Sequence, residues 1–144
     1  MESTSMGLVY ADIELVRGAD LILVEEGYLN QDQVRKIYVR AMVDSGATML
    51  AIPEFVKKQL DLRRVREIEA EMADGSSSTF EVVAPVGVRF ENRDVLVEAL
   101  VVPNSNKVLL GAIPMEGMDV LIDPKRERLV VNPESPDVAR MLLM

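Results

Sequence analysis

The chain has 144 residues, 49% of them apolar, and 24 acidic against 16 basic side chains give it a formal charge of −8; it is long enough for one packed domain and too apolar for a disordered one. No block of Lys or Arg stands apart to follow a phosphate backbone, and no apolar run approaches the roughly 20 residues that cross a bilayer, so neither nucleic acid nor a membrane is an expected partner. Cysteine and histidine are absent, which removes disulfides, thiolate nucleophiles, metal sites built on sulfur or imidazole, and the Ser-His and Cys-His mechanisms. Any catalysis falls to carboxylates.

Leu8 to Val16 alternates apolar and polar residues and predicts a strand that Gly18 ends. Residues 19–36 read as an insertion between strands, with Asn30 placed to cap a short helical turn through Gln33 and Val34. Ile37 to Val43 predicts a second strand, which delivers Asp44 at its carboxyl end. Beyond Asp44-Ser45-Gly46, Thr48 to Ile52 predicts a short strand, and Pro53 opens a helix of one to two turns with Phe55, Leu60 and Leu62 toward the core. Between Val65 and Val83 two alternating segments flank Asp74-Gly75-Ser76-Ser77-Ser78, the composition of a β-hairpin with a mobile tip. A second hairpin turns at Glu91-Asn92-Arg93. The apolar Val108 to Leu110 then meets Gly111, a short helix leads to Gly117, and Asp119 to Asp123 pairs with Arg128 to Val131 across Pro124 to Glu127. The expected fold is mainly β, one domain over 1–144 with one or two short helices and loose ends at 1–7 and 134–144. The opening MESTSMGLVY lacks the basic-then-apolar order of a signal peptide, so a cytoplasmic location is expected.

Asp44-Ser45-Gly46 interrupts a run that otherwise reads as buried. Taken alone it is an ordinary turn. Its setting is more telling: the acid stands where a strand leaves the core, and Ala47 and Thr48 beyond it are small enough for close backbone packing. The order of pieces adds more. A strand, D-S-G-A-T, a hairpin with a Gly/Ser tip about 30 residues on, and Leu109-Leu110-Gly111 before a short helix together resemble the retropepsin-like aspartic proteases, the single-domain family that includes the retroviral proteases, and more closely their small bacterial relatives. The resemblance covers most of Val39 to Val131.

It implies a homodimeric acid-protease β-barrel that hydrolyses peptide bonds in a peptide or protein substrate without metal or cofactor. Asp44 matches the catalytic aspartate, and Ser45 stands where the family's Thr or Ser hydroxyl bonds across the subunit interface. Gly46 lets the loop, with Ala47 and Thr48, approach the carboxylates closely. Leu109, Leu110 and Gly111 match the element that packs under this loop, and Asp74, Gly75 and Ser76 form the tip of the flap that closes over a bound peptide. The chain departs from retroviral members in carrying Thr48 and Met49 where they place further acids, Ala112 after the glycine, and the insertion at 19–36.

Aspartic protease chemistry needs two carboxyls sharing one proton, one as base toward water and one as acid toward the carbonyl. The sequence contains one D-S-G, so two-fold symmetry must bring Asp44 against its own copy. Asp74, Asp119 and Asp123 read as solvated loop acids, Glu25, Glu26, Glu67, Glu69 and Glu71 as a solvated face, and the nine methionines as core and interface filler. Other D-x-G and Ser motifs fit less well. A sugar-kinase phosphate turn needs two larger lobes, a haloacid-dehalogenase phosphatase needs an acid at Gly46, and a nucleophile elbow needs glycine at Val43. The rival of a different kind is an inactive protease-like module for dimerisation or peptide binding.

Overall fold

The computed structural model describes residues 8–71 and 74–143; the expected loose start at 1–7 lies outside them. In chain order the elements are β1 (Val9–Arg17), α1 (Gly18–Glu25), a 3-10 turn (Gln31–Gln33), β2 (Lys36–Val43), β3 (Leu50–Pro53), α2 (Glu54–Leu60), β4 (Arg63–Glu71), β5 (Ser77–Phe90), β6 (Arg93–Val102), β7 (Leu109–Leu110), α3 (Ala112–Met118), β8 (Val120–Asp123) and β9 (Arg128–Val131). The strands pair in the order β4-β5-β6-β3-β7-β2-β1-β9-β8, and a further pairing of β5 with β1 joins the run β5-β6-β3-β7-β2-β1 into a closed ring. The fold is therefore mainly β and barrel-like, with β4 and the β8–β9 hairpin outside the ring.

Period-two alternation builds the wall. The antiparallel register of β1 on β2 sets Val9 opposite Val43, Ala11 opposite Ala41, Ile13 opposite Val39 and Leu15 opposite Ile37. One face of this pair is thus wholly apolar and enters the core with Leu50, Ile52, Val83, Val88, Val101 and Leu110. β5 is a single 14-residue strand where the sequence suggested two segments. Its register shifts between Val83 and Val86, an irregularity that turns the strand. It pairs with β4 from Ser77 to Ala84 and with β1 from Val86 to Arg89, so one strand serves both hairpin and ring.

Four local expectations are corrected. The first part of the 19–36 insertion is a helix, α1, beginning at the glycine expected only to end β1. Its anchor is Asp20, 3% exposed, which accepts from Arg17 Nη1 at 2.5 Å and from the Arg35 N–H at 2.9 Å. Pro53 caps α2 rather than opening it, and of the residues expected toward the core Leu60 and Leu62 are buried while Phe55 is 44% exposed and Val56 is buried in its stead.

The other two corrections concern the chain end. The stretch after β9 is tied to the body as far as Arg140. Ser135 is buried, its carbonyl accepts from Arg93 Nη2, and the Pro136 carbonyl accepts from Asn92 Nδ2 at 2.8 Å. Asp119 is the second anchor of this stretch and is not a free loop acid. Its carboxylate accepts from Asn132 Nδ2 at 3.0 Å, from the Ser135 hydroxyl at 2.5 Å and from the Arg140 N–H at 3.0 Å.

Bonds from Asn132, Ser135 and Arg140 favour the charged form and hold the Asp119 pKa at about 2. A folded-state pKa below the unfolded value stabilises the fold above the unfolded value, near 3.9, and this contribution fades as pH falls through about 2. Asp119→Asn is therefore expected to melt below the parent at pH 6, with the gap closing between about pH 4 and pH 2. A gap that is the same at both ends of that window would show that the carboxylate charge does not hold the tail.

Candidate active site

Asp44 is the first residue after β2 and is exposed. Its own N–H donates to the Leu110 carbonyl at 3.0 Å, continuing the parallel β2–β7 pairing one step past the end of β2. Its carbonyl accepts from the Ala47 N–H at 3.1 Å, which closes a turn over Ser45 and Gly46. Its side chain is turned back into the loop, where Oδ1 accepts the Gly46 N–H at 3.0 Å. A Cβ at Gly46 would lie 3.2 Å from that oxygen, so the bare glycine gives the carboxylate room as well as a donor.

Leu109 pairs with Met42 and Ala51 on either side of this loop, and Leu110 and Gly111 lie against the loop itself. The Ala112 N–H donates to the Ala47 carbonyl at 2.8 Å and the Ile113 N–H to the Thr48 carbonyl at 2.9 Å. Gly111 sits so close that a Cβ there would be 2.4 Å from the Met49 carbonyl oxygen and 2.8 Å from that of Ala47. The loop thus rests by its backbone on the start of α3. The departure from retroviral sequences at Ala112 leaves this tie intact, because it uses main-chain groups that every residue except proline carries.

Sequence reasoning missed Ala112 and Ile113 as loop supports, since backbone donors leave no mark in residue type. Asp74, Gly75 and Ser76 lie elsewhere, at the end of the β4–β5 hairpin. Asp74 Oδ1 accepts from the Ser76 N–H at 2.9 Å and from its hydroxyl at 2.5 Å, and these bonds lower the Asp74 pKa. Gly75 has a φ of +87°, a conformation that side chains resist. Asp74 to Ser76 are tied by these bonds to one another, and among the described residues no hydrogen bond joins them to the Asp44 loop.

Concavity does not point to Asp44. A groove across β1, β2 and β5 is lined by Asp12, Glu14, Tyr38, Arg40 and Arg89, with Glu14 paired to Arg89 at 2.8 Å. The Glu14 carboxylate is committed to that ion pair. Among the described residues no group of three or more His, Cys, Asp or Glu side chains is placed to hold a metal ion, and no helix is long and apolar enough to cross a membrane.

Residues 32–116 match the model of the family described as "gag-polyprotein putative aspartyl protease", a span that includes the Asp44 loop, the hairpin and Leu109 to Gly111. The retroviral protease-like domain of Ddi1 from Leishmania major is similar in structure, with a TM-score of 0.57 over 90% of this chain and 91% of that one at 11% identity; at that identity the likeness speaks for the fold. A comparison with curated protein sequences gave no match. The family match covers more than half of the chain and contains every piece of the loop and its support, and the fold agrees with it: the chain belongs to the retropepsin-like aspartyl protease family.

Proposed function

We propose that the chain is an aspartic endopeptidase whose site forms when two copies bring their Asp44 side chains together, with 1–144 acting as one such domain and a peptide or protein as substrate. The observation that carries this is the Asp44 loop: an exposed carboxylate, fixed by the Gly46 N–H at 3.0 Å, on a backbone braced from beneath by Leu110, Gly111 and Ala112. Such bracing suits a group that must hold its position within a fraction of an ångström during catalysis.

One chain supplies one such loop, and the chemistry needs two carboxyls within hydrogen-bond reach of one water. A symmetric dimer provides them. Ser45 then faces the partner loop, and Asp74, Gly75 and Ser76 tip the flap that covers the peptide.

The test compares the parent with Asp44→Asn on a denatured protein mixture at mildly acidic pH, with sedimentation run beside it. Cleavage by the parent alone, from a dimer, supports the proposal. Binding of a segment that stays uncut and ignores the Asp44 change identifies a peptide-binding module instead.

A further inference from the structure

The unsupported part of the β4–β5 hairpin ends at a definite rung. Ser77 to Phe80 pair with β4 alone, from Glu71 opposite Ser77 to Ile68 opposite Phe80, whereas Glu81 is paired on both sides, with Glu67 of β4 and Val101 of β6. A two-stranded ribbon is marginally stable by itself, so its order and angle are set where the third strand begins. At that rung Lys57 of α2 places Nζ 2.5 Å from Glu81 Oε1. α2 follows β3 without a break, and β3 leads out of the Asp44 loop. The ion pair is therefore a side-chain link between the segment that carries Asp44 and the first fixed rung of the hairpin.

The surrounding charges make Lys57 matter. Glu67 is directly across the ladder from Glu81, a like-charge rung that destabilises a strand pair when nothing offsets it. Glu54 lines the same hollow between α2 and the hairpin. Arg64 engages Glu67 at 3.2 Å, which leaves Glu81 to Lys57. Farther along, Arg66 reaches Glu98 at 2.7 Å, but both of those side chains are nearly half exposed, against about a quarter for Lys57 and Glu81 (24% and 27%). The less exposed pair is the less screened one.

We infer that Lys57 is a positioning residue, which through Glu81 fixes the hairpin relative to the Asp44 loop and so governs how readily a peptide enters. The hinge itself stands on geometry alone; its effect on peptide entry rests on the proteolytic function proposed above.

The test uses the full chain as parent, as Lys57→Met, which keeps the aliphatic stem, and as the charge-swapped Lys57→Glu/Glu81→Lys. Amide exchange at 68–71 and 77–80 is expected to run roughly 5-fold faster in Lys57→Met, the scale of losing a partly shielded ion pair, with β1 and β2 unchanged. KM for a peptide is expected to rise by a similar factor with kcat little altered, and the swapped pair is expected to restore both. Unchanged exchange in Lys57→Met, acceleration spread equally into β1 and β2, no recovery in the swapped pair, or a loss confined to kcat would each overturn the inference. A parent that cleaves nothing defeats the proteolytic function by itself, while the exchange comparison still decides the hinge.

Discussion

Asp44→Asn is expected to lower cleavage by on the order of 10³-fold or more, the scale of removing positioned acid–base catalysis. In the proposed dimer the loss is large because one substitution changes both halves of the site. An amide neither takes a proton from water nor gives one to the scissile carbonyl. The loop should survive the change, since the Asn carbonyl can still accept the Gly46 N–H that Asp44 Oδ1 accepts at 3.0 Å. Fold and dimer are therefore expected to match the parent by circular dichroism and sedimentation.

Mixing subunits sharpens the result. With free exchange, an equal mixture of parent and variant chains leaves about one quarter of the dimers with two aspartates, so activity should fall with the square of the parent fraction. A linear fall would place the whole site within one chain, and undiminished cleavage by the variant would remove Asp44 from the chemistry. A dyad works while it holds one proton between two carboxyls, so cleavage by the parent is expected at mildly acidic pH.

Gly111→Ala is expected to cost about 3 kcal/mol, the upper end for overpacking a tight site. The added methyl would start 2.4 Å from the Met49 carbonyl oxygen and 2.8 Å from that of Ala47. Both obstacles are backbone, so no rotamer change relieves them. The Asp44 loop must move away and strain the Ala112 to Ala47 and Ile113 to Thr48 bonds. Thermal melting should show a drop of roughly 10 °C, and cleavage should fall by about 10²-fold, because ångström-scale misplacement of a catalytic group costs that much. Gly117→Ala is the comparison: its Cβ would meet Val95 Cγ2 at 2.6 Å, a side-chain rather than a backbone obstacle, so its drop in melting temperature is expected to be smaller. Gly111→Ala melting as well as Gly117→Ala would mean that the close approach at Gly111 does not hold the loop.

Much of the ladder was legible because alternation is local. Val9, Ala11, Ile13 and Leu15 announce β1, and the Gly/Ser tip after Asp74 announces the hairpin. α1 was not legible: GADLILVE carries its apolar residues on every side, so no helical stripe stands out, and a leading glycine reads as a stop. Phe55 was expected toward the core, but tertiary fit fixes the face of α2, burying Val56 and leaving the phenyl ring outside.

The ring closure was hidden for another reason. The pairing of β1 with β5 joins Glu14 to Arg89, 75 residues apart, and nothing near either residue signals it. Asp119 looked solvated because its partners, Asn132, Ser135 and Arg140, come after a whole hairpin. In the candidate site, family likeness brought out the residue types at Asp44 to Gly46 and Leu109 to Gly111. The main-chain bonds that tie these two segments together needed coordinates.

The contact between Arg93 and Ser135 bears on how the protein can be shortened. A guanidinium 3% exposed depends on that single carbonyl as its acceptor among the described residues. Trimming the last dozen residues would strand a cation in the interior, a change far costlier than losing an exposed appendage. Truncation that reaches Ser135 is therefore damage to the core rather than the loss of an appendage.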